Sequence, residues 1–123
     1  MNTLEVGKKL VELCKQGKND EATKTLYAQD IVSVEAGAPP GQSAESRGLE
    51  AIIAKGKWWA ENHEVHSASC EGPYPHGDRF IVQFKYDVTN KPSNKRMQMD
   101  ESALYTVQDG KIVREEFFYS MGD

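Results

Sequence analysis

Residues 79–89 read RFIVQFKYDVT, and this run decides the fold class because apolar and polar side chains alternate along it. A period of two residues is the pattern of a β-strand that is buried on one face. The apolar face consists of Phe80, Val82, Phe84, Tyr86 and Val88. Residues 64–71, 97–107 and 111–120 have strand character too, with turn-forming residues at 72–78 and 108–110 between them. The second half of the chain is therefore predicted to be a meander of long strands.

The first half of the chain has the apolar spacing of helices. Apolar residues recur every three or four positions over residues 3–16, with Gly17 as the stop, and again from Gly48 to about Asn62. A short helix over residues 19–27, capped by Asn19 or Asp20, and a first strand over 30–35 lie between them. Residues 36–47 form the longest loop. Helices followed by consecutive hairpins predict an α+β domain in which helices cover one face of an antiparallel sheet.

Composition excludes several functional classes. A chain of 123 residues is one domain, with room for one core and one internal pocket. Its net charge of -4 and the lack of a Lys/Arg cluster argue against nucleic-acid binding. The longest aliphatic run, residues 51–54, is far shorter than the roughly 20 residues that span a bilayer, and residues 1–9 do not look like a signal peptide. We therefore expect a cytoplasmic protein that binds no membrane.

The potential metal ligands have unsuitable spacing. Cys14 and Cys70 match no metal motif, and in a reducing compartment they are expected to be free thiols. His63 and His66 are separated by two residues, whereas the helical zinc motif needs three. No metal site is expected.

Four short segments carry a resemblance through their order and spacing. They are residues 15–22 (KQGKNDEA), 26–32 (LYAQDIV), 47–52 (RGLEAI) and 109–114 (DGKIVR). Over almost its whole length the chain resembles the nuclear transport factor 2-like (NTF2-like) superfamily, and within it the SnoaL-like polyketide cyclases and ketosteroid isomerases. The resemblance implies one domain over residues 1–123, in which a strongly curved antiparallel or mixed sheet wraps around three helices as a cone with a pocket. Enzymes and binding modules share such folds, so the resemblance supports a pocket rather than a reaction.

Glu35 is the first candidate catalytic residue. It falls where the resemblance places the carboxylate general base of ketosteroid isomerases, at the end of the first strand. A carboxylate in an apolar pocket can move protons near neutral pH. The alternative is a solvated carboxylate at a strand end.

Glu101 is the second candidate, and its position depends on the turn at residues 108–110. The resemblance implies that it is the protonated carboxyl of an oxyanion hole. A three-residue turn with a glycine bulge puts it on the pocket face, whereas a two-residue turn pairs it with Phe118 instead. In the first register that face carries Glu101, Ala103, Tyr105, Val113, Glu115, Phe117 and Tyr119. The alternative role is a surface ion pair with Lys or Arg.

The chain also departs from the isomerase pattern. Leu10 stands near the position of the isomerases' oxyanion-hole tyrosine, which argues against steroid isomerisation itself. Tyr119, Tyr105 or Tyr86 would have to supply a hydroxyl instead.

The third helix supplies two more candidate site residues, His63 and Trp59. His63 continues its apolar stripe, together with Gly56 and Trp59, and a histidine there can act as acid or base. The alternative is a histidine bonded to a carbonyl at the helix end. The side chains expected to line the pocket and bind the ligand are Trp59, Tyr105, Glu115, Phe117 and Tyr119.

The leading hypothesis is an isomerase, cyclase or lyase that acts next to a carbonyl of an apolar or aromatic small molecule without a cofactor. Glu35, assisted by His63, abstracts the proton, and Glu101 or Tyr119 donates a hydrogen bond to the enolate oxygen. The alternative is a non-catalytic ligand-binding or protein-interaction module. Its carboxylates would be locked in salt bridges to basic residues, the candidates being Lys85, Arg96 and Arg114. A hydrolase also remains open.

The last strand predicts a partner for the outer face of the sheet. Residues 114–119 carry aromatic side chains on both faces, so both faces are expected to be buried. The resemblance implies a homodimer that buries this outer face, with Leu104, Ile112 and Phe118 contributing to the interface.

Overall fold

The computed structural model describes residues 1–38 and 40–120, which form three helices and a six-stranded sheet. The helices are α1 (Thr3–Lys15), α2 (Asn19–Leu26) and α3 (Leu49–Asn62). The strands are β1 (Tyr27–Val34), β2 (Glu45–Arg47), β3 (His63–His76), β4 (Arg79–Asn90), β5 (Lys95–Gln108) and β6 (Lys111–Phe118). Their spatial order is β2-β1-β6-β5-β4-β3. Among the strands that the structure describes, only β1 and β6 pair in parallel, so this is the mixed-sheet form of the predicted α+β cone.

The helix ends follow local capping chemistry. Asn2 caps α1 by accepting a hydrogen bond from the Glu5 amide, and the Glu5 carboxylate accepts one from the Asn2 amide. Gly17, with φ of 74°, follows the end of this helix as predicted. The predicted cap of α2 is wrong, because the N-cap is Lys18 and makes no side-chain cap bond. Asp20 lies instead in the first turn, where a carboxylate favours the helix dipole.

β3 is longer than the sequence pattern predicts. It continues through residues 72–76, which were expected to form a turn, and the chain reverses only after His76. At Gly72, with φ of 128°, the pairing with β4 is irregular between Glu71 and Tyr74. A side chain at Gly72 would meet the Ile81 carbonyl oxygen at 2.9 Å. The glycine therefore lets the strand bend without ending.

The core lies between the three helices and one face of the sheet. The alternation predicted for β4 is confirmed, since Phe80, Val82, Phe84 and Val88 are buried on it. From the helices the buried side chains include Val6, Leu10, Leu13, Leu26 and Ile52. Both cysteines are free thiols, as expected. None of the described helices is long and apolar enough to cross a membrane.

The turn between β5 and β6 differs from the three-residue turn that the resemblance favoured. Gln108 pairs with Lys111, so the turn contains only Asp109 and Gly110. Both have positive φ, 53° and 76°, which is typical of a type I′ hairpin. By itself this turn would pair Glu101 with Phe118.

A β-bulge at Val113 reverses that consequence. The register shifts by one residue between Thr106, which pairs with Arg114, and Val107, which pairs with Ile112. Val113 of β6 therefore has no partner residue on β5. Beyond the bulge Tyr105 pairs with Glu115. Because side chains alternate along a strand, Glu101 lies on the same face as Glu115 after all.

The outer face of the sheet carries two of the three predicted interface residues. Phe118 is 54% exposed and Leu104 is half-buried. The prediction for Ile112 is wrong, because its side chain is fully buried in the core. Ile112 and Phe118 are an even number of residues apart, so a regular strand would put both on the outer face. The extra residue at the bulge lies between them and puts Ile112 on the opposite face from Phe118.

Gly7 and Gly56 provide a test of the packing of α1. A Cβ atom at Gly7 would lie 2.8 Å from the Cβ atom of Pro73, whereas one at Gly56 meets nothing within 4 Å. We expect Gly7→Ala to lower the free energy of unfolding by about 1–2 kcal/mol despite its better helix propensity. Gly56→Ala should raise it by about 0.5–1 kcal/mol. Urea denaturation followed by circular dichroism measures both, and equal effects would contradict close packing of α1 on β3.

Candidate functional site

Three glutamates from neighbouring strands face the interior. Glu35 follows the end of β1, Glu101 lies on β5, and Glu115 lies on β6, where it pairs with Ser33 on one side and Tyr105 on the other. The order β1-β6-β5 places these strands side by side. Glu35 and Glu115 are near enough to Glu101 to raise its pKa. The structure therefore brings together the two predicted catalytic carboxyls and the predicted ligand-binding Glu115.

Glu35 is held by two partners. The Lys55 ammonium contacts its Oε1 at 2.7 Å, and the Tyr119 hydroxyl donates a hydrogen bond to its Oε2 at 2.9 Å. Both Glu35 and Lys55 are about a third exposed, so the pair is reachable from solvent. The solvated strand-end carboxylate considered from sequence is not what the structure has.

Lys55 is the site residue that sequence reasoning missed. It lies on α3 between Ile52 and Trp59, at spacings of three and four, which is the interior stripe of the helix. The predicted stripe passed through Gly56 instead, and Gly56 is exposed. The sequence did contain a signal for Lys55, because a charged residue at the spacing of the buried apolar residues indicates a side chain that faces the interior.

The salt bridges proposed for a binding module are wrong in their partners. Arg96 pairs with Asp87, and Arg114 pairs with Glu116. Neither reaches Glu35 or Glu101. Lys55 provides the ion pair in their place.

Glu115 is almost fully buried and hydrogen-bonded. The Tyr27 hydroxyl donates to its Oε2, and the Ser33 hydroxyl also bonds to it. Burial raises the pKa of Glu115, and these two hydrogen bonds together with Lys55 oppose that rise. Ser33 Oγ accepts a hydrogen bond from Lys55 Nζ at 3.0 Å. A continuous polar network therefore connects Glu115 through Ser33 and Lys55 to Glu35.

Glu101 differs from the other two carboxyls. Within residues 1–38 and 40–120, no hydrogen bond reaches its carboxyl group. Burial, and then the charges of Glu35 and Glu115, raise its pKa to about 7, against the opposing effect of Lys55. Near neutral pH this group is therefore divided between acid and carboxylate, and its oxygens are available to a ligand.

The aromatic residues divide into core and accessible groups. Tyr105 was predicted to bind ligand, but it is 2% exposed and stacks on Phe80 at 5.0 Å between ring centroids. Trp59 and Phe117 remain partly exposed, and Trp59 lies 5.8 Å from the Tyr86 ring. Trp59, Phe117 and Tyr119 are thus the predicted aromatic residues that keep accessible surface.

His63 lies at the end of α3, apart from the carboxyls. Its Nδ1 is 2.8 Å from the Trp59 carbonyl oxygen, its ring stacks on the Trp59 indole at 4.4 Å, and its Nε2 is 3.4 Å from the Asn90 amide nitrogen. His63 is therefore a histidine bonded to a carbonyl at the helix end, which was the alternative to an acid–base role. The structure does not bring His63 to Glu35 or Glu101.

Two shallow hollows lie elsewhere. One, of about 380 Å³, lies over β3, β4 and β5 near Lys85 and Asp100, and the other, of about 400 Å³, lies beside the start of α3 near Glu50. The described residues contain no group of three His, Cys, Asp or Glu side chains that could hold a metal ion. Neither hollow is lined by Glu35, Glu101, Glu115 or Lys55.

A comparison of the sequence with models of protein families identifies the family of this chain. A model of the SnoaL-like domain matches residues 1–119. The chain belongs to the SnoaL-like family. No curated protein matches this SnoaL-like protein.

Solved structures share its fold. A candidate SnoaL-like polyketide cyclase from Mesorhizobium loti is 50% identical, with a TM-score of 0.91 over 97% of this chain and 100% of that one. A candidate isomerase from Bacillus subtilis is 20% identical, with a TM-score of 0.78 over 98% and 90%. A protein of ketosteroid isomerase-like fold from Catenulispora acidiphila, in complex with trimethylamine, is 21% identical, with a TM-score of 0.73 over 98% and 88%. The last two support the NTF2-like fold alone.

The raised pKa of Glu101 predicts how stability depends on pH. The folded protein favours the protonated form, so wild type should lose stability as pH rises from about 4.5 to about 7. Glu101→Gln lacks this loss and should be the more stable protein at pH 8 by about 2 kcal/mol, after allowance for solvent. Urea denaturation at pH 4.5 and 8 measures it, with Glu61→Gln at an exposed position of α3 as control. A constant difference between Glu101→Gln and wild type at both pH values would contradict the assignment.

Proposed function

We propose that this SnoaL-like protein binds an apolar or aromatic carbonyl compound and transfers a proton next to the carbonyl, as an isomerase, cyclase or lyase without a metal or cofactor. One observation carries the proposal. An ion-paired carboxylate, Glu35, and a carboxyl that titrates near pH 7, Glu101, lie on one face of the sheet. Two carboxyls with different protonation preferences are suited to act as base and acid.

Glu35 is the base in this proposal. Its carboxylate takes the proton from the carbon next to the carbonyl, and the electron pair of that C–H bond becomes the enolate. Lys55 and Tyr119 each hold one oxygen of the carboxylate, which fixes its direction. In an isomerase Glu35 returns the same proton to another carbon of the enolate.

Glu101 in its protonated form donates a hydrogen bond to the enolate oxygen, where negative charge develops. Tyr119 was the other candidate donor, but its hydroxyl already donates to Glu35. Burial, and then the nearby Glu35, raise the pKa of Tyr119 to about 12, so it keeps its proton. The proposal needs no proton transfer by His63.

The accessible rings favour a flat, uncharged ligand. Phe117 offers apolar surface beside Lys55, Trp59 offers more next to Tyr86, and Lys55, the cation of the network, is already paired. The M. loti protein, 50% identical to this chain, is a candidate polyketide cyclase, which agrees with a carbonyl compound as the ligand.

Deuterium exchange into 2-tetralone, a neutral aromatic ketone, tests the reaction. We expect wild type to accelerate exchange of the protons next to the carbonyl, followed by NMR in deuterated buffer, and Glu35→Gln to lose about 10²-fold or more. The wild-type rate should fall as pH rises through about 7, because Glu101 then loses its proton. Glu101→Gln keeps an N–H donor and should not show this fall.

The control for this assay is Glu61→Gln, whose exchange rate should equal that of wild type. Equal rates for wild type and Glu35→Gln would refute Glu35 as the base.

A non-catalytic binding module is the second candidate function. It is favoured by the contacts of Glu35 within the chain, since Lys55 and Tyr119 each bind one oxygen of its carboxylate. Saturable binding of 2-tetralone in calorimetry, without exchange above the buffer rate, would support the module over the enzyme.

We propose in addition that the protein forms a homodimer through the outer face of the sheet. Ile81 and Leu104 are direct partners there, and Ile81 and Phe118 are about half exposed. Burying this surface against a second copy removes it from water. Light scattering after size-exclusion chromatography at micromolar concentration should give twice 13.8 kDa, and Phe118→Glu should give the monomer mass. A monomer in wild type would refute the dimer.

A further inference from the structure

We infer that Lys55 is the positioning residue that gives the interior carboxyls different roles: through direct contact it holds Glu35, rather than Glu101 or Glu115, as the carboxylate that acts as the base. The inference deepens the proposed function and rests on it for its kinetic readout. The charge arrangement itself rests on the contacts of Lys55.

Lys55 is located by three contacts. Its Nζ lies 2.7 Å from Glu35 Oε1 and 3.0 Å from Ser33 Oγ, and 5.7 Å from the centroid of the Phe117 ring. Ser33 is fully buried, so its hydroxyl is a fixed acceptor for the ammonium. A cation over a ring face is attracted by the ring quadrupole. These contacts therefore fix the ammonium group of Lys55 next to the Glu35 carboxylate.

Neighbouring carboxyls compete for the ionised state. Ionisation of one disfavours ionisation of the next, and a cation in direct contact decides which one ionises. Lys55 contacts Glu35, whereas it reaches Glu115 only through Ser33 and makes no hydrogen bond to Glu101. Burial raises the pKa values of Glu101 and Glu115, and the more distant charge of Lys55 opposes that rise at both without a direct contact to either carboxyl.

Other titratable groups near Glu101 do not carry charge at neutral pH. Burial raises the pKa of Cys14 and Tyr119 to about 12, and it raises the pKa of Tyr86 and Tyr105 further. The groups that interact with Glu101 from the surrounding elements are Lys55 on α3, Tyr86 on β4, Tyr105 on β5, Glu115 on β6, and Glu35 and Tyr119 beyond the ends of β1 and β6. Cys14 on α1 interacts with Glu115. The charge state therefore depends on the three glutamates and Lys55.

In the described portion of the chain, no other Lys or Arg side chain forms an ion pair with Glu35, Glu101 or Glu115. The remaining Lys and Arg side chains with an ion pair there have carboxylates outside the site, as Lys24 has Asp20 and Arg47 has Glu45. Removal of the Lys55 charge consequently leaves Glu35 beside two carboxyls with no counter-ion.

Lys55→Met tests the inference because it keeps the length of the side chain and removes the charge. The exchange rate should also fall at low pH, where the base becomes protonated, and we expect this acidic limb of the pH–rate profile for 2-tetralone exchange to move up by about 1–3 pH units in the variant. The rate at pH 7 should drop severalfold as the limb approaches that pH, with KM little changed. Lys55→Arg keeps the charge and should keep the acidic limb at its wild-type position, whatever its rate.

Lys57→Met is the matched control, since Lys57 is exposed two residues along the same helix and carries the same charge. Its profile should be that of wild type. If Lys55→Met does not fold by circular dichroism, Lys55→Gln replaces it, because the amide can still donate to Ser33. A purely structural role for Lys55 would change thermal stability without moving the limb.

NMR of side-chain carboxyl carbons separates this inference from the proposed reaction. At pH 7 we expect the Glu35 signal to be that of a carboxylate in wild type and to shift towards the acid in Lys55→Met. An unchanged Glu35 signal in both Lys55→Met and Lys55→Gln overturns the inference, whether or not exchange is catalysed. A shifted signal together with no exchange in wild type supports the inference and refutes the proposed function.

Discussion

The parallel pairing of β1 with β6 is the constraint on which the site depends. It joins the first strand of the chain to the last, and it sets Ser33 beside Glu115 and the end of β1 beside the end of β6. Glu35 and Tyr119, 84 residues apart in sequence, consequently share a hydrogen bond. Without this pairing the N-terminal part of the chain would contribute apolar surface but no carboxylate to the interior.

The fully buried polar groups in this interior are stabilised because each has a partner. A buried polar atom without a hydrogen bond costs about 1–3 kcal/mol, and within the described residues none is left in that state. Glu115, Ser33 and Lys55 satisfy one another, with Tyr27 at one end of the network and Tyr119 at the other. Glu101, which is only partly buried, is outside this network and is left free to contact a ligand.

Much of the fold could be predicted because its signals are local. Alternation along residues 79–89 identified both the strand and its buried face, and Gly17 marked the end of the first helix. The order of the elements was enough to indicate the NTF2-like cone. Local signals failed where a strand bends, at Gly72, and at the cap of α2, since turn-forming residues also occur inside bulged strands and in first helical turns.

Sequence alone determined which residue types are available and, for a strand with strict alternation such as β4, which face is buried, because side-chain direction follows from backbone period. The resemblance marked Glu35 and Glu101 as interior candidates, and Glu115 followed from the register that the resemblance favoured. Tertiary structure alone decided that the bulge at Val113 keeps Glu101 inside, that Lys55 rather than a strand residue pairs with Glu35, and that His63 bonds to a helix carbonyl. Ionisation depends on distances of a few ångströms between residues far apart in the chain, and only the assembled sheet and helices set those distances.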